Sequence, residues 1–414
     1  MSRRDKLPAA PFELGDPDLF ADGFPHALFA ELRDKSPVVW SEWSGGAGFW
    51  SLLKYEDITQ ASMNPKLFSS ASENGGHRIF EEAASGVAGT GSESPIGIPF
   101  ISRDPPKQVQ QRTMVMQAVT SPRLVEMEAR IRARIVKLLD AVPNGGVLDV
   151  VDRVSAPIPI KTLAELLDMP EERESKLYEW TNALIGEDDP DFRQSPEYMG
   201  QVLGELMSYT GELRASRAGS DRTDLITLIS RERDGSEVPM RDFYANVVLV
   251  LVGGNETTRN SISGGLIALA QNPDQWAALR ADASLIPGAV NEIVRWVSPV
   301  MHMRRTAMED TEIRGVKIAK GDKLLFWYPS ANRDADIWTD ADSFDITRPI
   351  VKHRGFGAGA HVCAGSRLAE MQIRVFLEEL VQRCEHFEIA GEVARIRSNF
   401  IDGIRHLPMR FVRA

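Results

Sequence analysis

From Pro239 to Ala270 the chain reads as one helix of roughly 30 residues, about 45 Å long at the usual rise. Its middle, Val247-Val248-Leu249-Val250-Leu251-Val252, is apolar on every side. A helix of that kind cannot lie on a surface, so it must thread a core and be surrounded by other elements. Pro273 stops it. Directly after the apolar run comes Gly253-Gly254-Asn255-Glu256-Thr257-Thr258-Arg259-Asn260, which is foreign to a buried helix. Two glycines there cost about 1 kcal/mol each relative to alanine and remove side-chain volume. Their return is room for a ligand against the backbone. Gly253, Glu256 and Thr257 stand at i, i+3 and i+4, a spacing that predicts one shared face. A carboxylate and a hydroxyl on such a face can hold a water and pass protons. Read on its own, the segment is also compatible with a kinked helix whose threonines bond back to the main chain.

The second constraint is Phe356-Gly357-Ala358-Gly359-Ala360-His361-Val362-Cys363-Ala364-Gly365, with Gly355 before it and a helical pattern from Ser366 to Leu380 after it. Alternating glycines allow tight turns and let a flat, bulky group lie against the backbone. A cysteine just ahead of a helix N-terminus is placed where N–H groups and the helix dipole favour a thiolate. Such a thiolate can serve as a nucleophile, a redox thiol or an axial ligand to haem iron. Gly355-x-Gly357-x-x-Ala360 formally fits a dinucleotide-binding fingerprint, which would make the chain a dinucleotide oxidoreductase without haem. That motif needs a strand ahead of it, whereas Arg348-Pro349-Ile350-Val351-Lys352-His353-Arg354 shows no strand alternation.

The order Phe-Gly-x-Gly-x-His-x-Cys-x-Gly closely resembles the cysteine loop of the cytochrome P-450 superfamily. Gly253 to Thr258 is similar to that family's Gly-x-Glu-Thr-Thr element, with Gly253-Gly254 where relatives usually have Ala-Gly. Glu292 and Arg295, some seventy residues before the cysteine, repeat its Glu-x-x-Arg pair. The resemblance covers the chain from about Asp104 to the C-terminus. It implies a mainly α fold with a smaller β portion, and haem b bound by Cys363 as the iron ligand, with Phe356 and Gly357 beside the sulfur. His361, Arg112 and Arg305 are expected on the haem propionates, and Gln108 stands where many relatives have histidine. Thr257 is expected beside bound O2 and Glu256 in the proton supply. Gly253, Val300, Met301, His302, Met303, Phe400 and Ile401 are expected to line the substrate pocket, and Glu292, Arg295 and Arg348 to form a structural charge cluster. The implied activity is hydroxylation of a C–H bond in an apolar small molecule, of the terpenoid, alkane or fatty-acid, or steroid kind. Electrons would come from NAD(P)H through a ferredoxin reductase and a ferredoxin. Lys352, Arg354, Arg367, Arg374 and Lys107 are candidates for docking that acidic partner. The rival is a non-catalytic haem-thiolate binding or sensing protein, against which Thr257 and Glu256 speak, because passive gas binding needs no proton path.

The rest of the chain frames these motifs. No Gly/Ser- or Pro-rich linker divides its 414 residues, so one domain spanning 1–414 is expected, and 43% hydrophobic residues suffice for a large core. A formal charge of −11 argues against nucleic acid. The charged N-terminal residues and the lack of an eighteen-residue apolar run predict no membrane anchor and a cytoplasmic protein. Two cysteines cannot hold an iron–sulfur cluster of four thiolates, and Cys384 reads as core filler in a helical stretch. Helices are predicted over Pro25–Ser36, Asp57–Met63, Arg123–Ala141, Ile158–Leu167, Lys176–Ile185, Ser195–Arg217 and Pro287–Val297. A further helix opens at Asp104-Pro105-Pro106. The Ser195–Arg217 helix is expected in the substrate roof, and the long Ser69–Ser102 stretch as a loop covering the substrate. His77 and Arg78 on that loop read as solvated. Hairpins are predicted around Ser44-Gly45-Gly46, around Ala319-Lys320-Gly321-Asp322, and in the C-terminal stretch, with a tip at Phe400–Ile404 touching substrate.

Overall fold

The long apolar helix forms as one rod, Met240–Gln271, entered from Pro239 and ended at Asn272 ahead of Pro273. In the computed structural model, which describes residues 9–79, 96–185 and 195–414, it packs against several helices, among them Pro157–Leu166, Glu174–Ile185, Ile286–Val297 and Ser366–Arg383. The last of these lies in turn on Ser121–Asp140. Val247, Leu251, Ile262, Leu266 and Leu269 are buried, as a helix surrounded on all sides requires. No described helix is long and apolar enough to cross a membrane.

Sheet structure sits to one side. Val38–Trp43 and Gly46–Leu52 form the expected hairpin. Gly46–Leu52 then pairs in parallel with Lys323–Trp327, which runs antiparallel to His302–Ala307, itself edged by Phe68–Ser69. A smaller sheet joins Val147–Asp149, Pro408–Arg413 and Cys384–Ile389. Cys384 is thus the first residue of a strand, not helical, though it is buried as expected.

The predicted hairpin around Ala319–Asp322 is displaced. Thr311–Ile313 pairs with Val316–Ile318 across Arg314-Gly315, at φ 51° and 78°, and Ala319–Asp322 merely leads into the next strand. Two consecutive positive φ values make the tight two-residue turn that matches strand twist. Arginine at the first of them carries none of the usual Asn or Asp signal. At the C-terminus Ile404–His406 pairs with Ala394–Arg395, so Phe400–Ile401 belong to the connection. The helices fall within a few residues of expectation, including His26–Lys35, Tyr55–Met63, Lys107–Gln117, Glu174–Ile185 and Pro196–Ser216. Residues 80–95 of the Ser69–Ser102 loop lie outside the described residues, as do residues 186–194.

The cavity above Cys363

One cavity collects most of the residues singled out in the sequence. Its floor is the loop around Cys363, with Phe356, Gly357 and His361. One wall is the central helix through Leu249, Val250, Gly253, Gly254, Thr257, Thr258 and Ser261. Gln108 and Arg112 come from Lys107–Gln117, and Val300, Met303 and Arg305 from the stretch leading through His302–Ala307. Phe100, Ile101, Leu163 and Leu166 close the apolar upper part.

The loop's shape follows from its glycines. Gly357 and Gly359 have φ of 69° and 67°, the left-handed region that favours glycine. At Gly359 a β-carbon would also stand 2.1 Å from the Ser62 carbonyl oxygen, so no other residue fits. The Cys363 N–H donates to Phe356 O at 2.9 Å, folding the loop under its sulfur. Cys363 is open to the cavity but sits deep in the fold, and that enclosure pushes its thiol up, while the N–H groups of Gly365 and Ser366 and the Arg112 guanidinium pull it down. The helix start thus acts as expected, but enclosure outweighs it.

Around the floor stands a set of donors without acceptors of matching charge. Arg305 is only 4% exposed, yet forms no ion pair among the described residues and donates only to Arg304 O at 2.7 Å. Burial lowers its pKa, and the nearest help comes from Tyr328 and Asp104 beyond ion-pair reach. Arg112 donates to Val362 O at 2.7 and 3.2 Å and to the Met116 sulfur. Gln108 donates to Ala360 O at 2.9 Å, leaving its buried Oε1 without a partner. His361 meets Ser70 Oγ at 3.0 Å through Nε2, and burial first, then Arg305, His77 and Arg112, hold its pKa at about 2. A buried, unpaired arginine is costly unless an anion accompanies it. A soft thiolate at the cavity floor, rimmed by buried Arg305 and half-buried Arg112, fits a planar dianionic ring carrying iron. Elsewhere among the described residues Asp149, Asp152 and His406 cluster at the surface, with Asp149 already taken up by His406 and two main-chain N–H groups.

On the central helix the expected shared face divides. The Thr257 hydroxyl donates to Gly253 O at 2.7 Å and lines the cavity. Glu256 does not line it. Its carboxylate is fully buried, Oε1 accepting from Arg259 and, at 2.8 Å, from Asn260, while Oε2 has no partner. The cavity face is centred on Val250, Thr257 and Ser261, and Glu256 lies about 100° around the helix from Thr257. The two glycines also differ. A β-carbon on Gly254 would come 2.9 Å from Leu163 Cδ2, whereas one on Gly253 would meet nothing within 4 Å.

Other expectations need correction. Met301 is fully buried in a separate apolar cluster with Trp327 and Leu325. Val300 and Met303 line the cavity but Met301 and His302 between them do not, so alternation breaks where the strand begins. Phe400 and Ile401 do not line it either. Phe400 packs against His77 and His302, and Ile401 bridges to Val300 from behind. No residue of Pro196–Ser216 reaches the cavity, so that helix is not its roof. His77 is not solvated but bonded to Ser102 Oγ at 2.6 Å, with burial lowering its pKa to about 3. Sequence reasoning missed Tyr328, Thr258, Ser261 and Leu163, while Met303 lines the cavity as expected. The helical face would have found Thr258 and Ser261; nothing local marks Leu163 or Tyr328.

Below the cavity, Glu292, Arg295 and Arg348 meet as expected. Arg295 holds both Glu292 oxygens at 2.7 Å, and Arg348 Nε stands 3.5 Å from Glu292. Of the five basic residues expected at the docking face, Arg354 is buried over the Tyr55 ring, Arg374 is paired with Glu128 and Glu378, and Lys107 with Glu232. Lys352 and Arg367 are exposed.

Comparison with known proteins agrees with this geometry. The family model described as Cytochrome P450 matches residues 160–399. Linalool 8-monooxygenase of Pseudomonas putida is 51% identical over 396 residues, covering 95% of this chain and 97% of that protein. A methyl-branched lipid omega-hydroxylase of Mycobacterium tuberculosis is 34% identical, covering 98% and 95%. The solved structure of cytochrome P450-153 from Novosphingobium aromaticivorans superposes with a TM-score of 0.86 at 35% identity, covering 97% and 99%. A cysteine loop, a glycine-threonine helix and a donor rim converge on one cavity in a chain alike from end to end to these hydroxylases, and the chain belongs to the cytochrome P450 family, as a monooxygenase that uses haem b.

Proposed function

We propose that this enzyme hydroxylates a C–H bond of a small, flexible terpenoid of the linalool type. The observation that carries this reading is the chemistry of the upper cavity. Leu163, Leu166, Leu249, Val250 and Met303 offer no polar group. The hydroxyls of Thr162, Thr257 and Ser261 already donate to the carbonyls of Ile158, Gly253 and Thr257. Hydroxyls spent in this way can only accept, so a guest with one alcohol O–H is received and a guest rich in acceptors is not. The 51% identical linalool 8-monooxygenase points the same way.

In this reading Cys363 holds the haem iron through its sulfur, and the N–H groups of Gly365 and Ser366 with Arg112 favour the thiolate over the thiol. Arg305, Arg112, His361 and Gln108 would hold the carboxylates of the ring, with Phe356 and Gly357 beside Cys363. The bound haem supplies oxygen activation, with one atom of O2 entering the C–H bond and the other leaving as water at the expense of two electrons and two protons. Thr257 can accept from a water on the cavity wall while its hydroxyl donates to Gly253 O, and can pass its own proton once that bond is released. Glu256 reaches that position only by turning its side chain or through a water at its unpartnered Oε2. Gly253, without a side chain, leaves the substrate free to approach the helix.

As a P450 monooxygenase the protein requires O2 and redox partners. We take these to be a ferredoxin and its NAD(P)H-dependent reductase, met in the cytoplasm and docking against Lys352 and Arg367. Relatives aligned over nearly the whole chain support reading 1–414 as one P450 domain. The reduced protein under carbon monoxide is expected to show the red-shifted Soret band of a thiolate-ligated haem. Linalool added to the oxidised protein is then expected to shift its spin state and to yield a hydroxylated product. A normal carbon monoxide band with no response to linalool or to other acyclic terpenoid alcohols overturns the substrate.

A further inference from the structure

Tyr328 lies on the cavity floor with nothing in the sequence to announce it. It opens the short helix Tyr328–Ala331 that follows Lys323–Trp327, and its N–H donates to Met301 O at 3.0 Å, fixing its place at the sheet's end. The ring belongs to the apolar cluster around Phe326 and Trp338 and is 4% exposed. Its hydroxyl reaches the cavity, where a β-carbon placed on Gly357 would stand 3.3 Å from the oxygen. No described residue hydrogen-bonds to that hydroxyl, although buried phenols nearly always find a partner.

The neighbours narrow what that partner is. Arg305 lies within electrostatic reach of Tyr328, and it forms no ion pair among the described residues. Arg354, also coupled to Tyr328, is satisfied by Thr59 Oγ1 at 2.8 Å and Lys352 O at 3.2 Å. The unmet groups in this corner are therefore a phenol hydroxyl and guanidinium N–H groups, more donors than acceptors. An apolar substrate cannot answer them and a carboxylate can. We propose that the Tyr328 hydroxyl donates a hydrogen bond to the haem carboxylate that pairs with Arg305. Tyr328 is then a positioning residue of the cofactor cradle, fixing the ring's tilt over Cys363 from the side of the sheet. This rests on the haem reading given above.

The test uses haem-loaded Tyr328→Phe, which keeps the ring, beside Arg305→Lys. Haem transfer to excess apomyoglobin is expected to be about tenfold faster in Tyr328→Phe, the weight of one hydrogen bond to a charged acceptor. The propionate-bending band in resonance Raman is expected to shift in both variants. The haem-free Tyr328→Phe protein should melt no lower than wild type, because only an unpartnered hydroxyl has gone. Transfer within about twofold of wild type and an unmoved propionate band, while Arg305→Lys moves both, overturn the proposal. A lowered haem-free melting point with an unmoved band assigns Tyr328 to packing and overturns it as well. Wild type that takes up no haem sinks the functional reading instead.

Discussion

Replacing Arg295 with methionine tests what the cluster under Cys363 is for. Arg295 has five N–H donors, and all five are used. Two go to Glu292 at 2.7 Å each, two from Nη1 to Asn332 O at 2.7 Å and Ala341 O at 2.9 Å, and one to Ser343 O at 3.0 Å. Asn332 and Ala341 are buried, whereas Ser343 is exposed and its carbonyl can turn to water. The methionine variant strands the Glu292 carboxylate with only Arg348 at 3.5 Å, and breaking a buried pair costs about 3–5 kcal/mol. Two orphaned carbonyls add about 1–3 kcal/mol each, part of it regained by relaxation. A loss of about 4 kcal/mol is therefore expected in guanidinium unfolding followed by far-UV circular dichroism, with the Soret band lost at lower denaturant. The companion Glu292→Leu/Arg295→Met variant removes the stranded charge. Many buried pairs can be exchanged for apolar residues without loss. Here the two carbonyls remain, together with the Asp345 N–H that Glu292 accepts at 2.9 Å, so a deficit of at least about 2 kcal/mol should persist. Recovery of the double variant to within about 0.5 kcal/mol of wild type would refute the idea that Arg295 works by pinning main-chain carbonyls.

Gly253→Ala is expected to raise the stability of the haem-free protein by about 0.5–1 kcal/mol, since its β-carbon enters open space, yet to weaken linalool binding in a spin-state titration. Gly254→Ala presses on Leu163 and should show no such gain; equal stabilisation of both would remove the distinction. His302 is fully buried with a pKa lowered to about 3, chiefly by burial, and its Nδ1 meets Asn399 O at 2.9 Å. The unfolded chain takes up that proton below its ordinary value of 6.5 and the folded one only near 3. The stability His302 lends is thus complete above about pH 6.5 and falls as the pH drops through that window. Between pH 7 and 5.5 wild type should lose about 1 kcal/mol more than His302→Gln in denaturant midpoints, and parallel curves would contradict this. Thr257→Ala is expected to divert electrons to peroxide, measured as product formed per NAD(P)H consumed, and an unchanged ratio would remove Thr257 from proton handling. Charge reversal at Lys352 or Arg367 should raise the apparent KM for a ferredoxin at low salt, and no change there would remove the docking face.

What could be read from the chain followed from how local each signal was. The helices came out within a few residues because prolines and apolar spacing mark their ends and faces locally, as at Pro239 and Pro273. The cysteine loop was legible because its glycines are forced by positive φ and by the Ser62 carbonyl, constraints that leave a spaced pattern. Glu256 misled because an i, i+3 offset from Gly253 places a residue at the edge of a face, and the cavity's centre fell on the other side. Met301 misled because the break in alternation arises from the bridge between Val300 and Ile401, a contact across the fold. Tyr328 and Leu163 matter only through partners brought from distant segments, and nothing adjacent in the chain distinguishes them.

The cavity is built from two kinds of boundary. Around the cysteine, Arg112 and Gln108 are fastened to the carbonyls of Val362 and Ala360 and His361 to Ser70, so that moving any of them disturbs the loop. Farther up, Phe100, Leu163, Leu249 and Val250 contribute only shape. Exchanges among these four can alter which molecule fits without loosening the seat of the chemistry. Selectivity can therefore drift quickly in such a lineage while the reaction itself stays fixed.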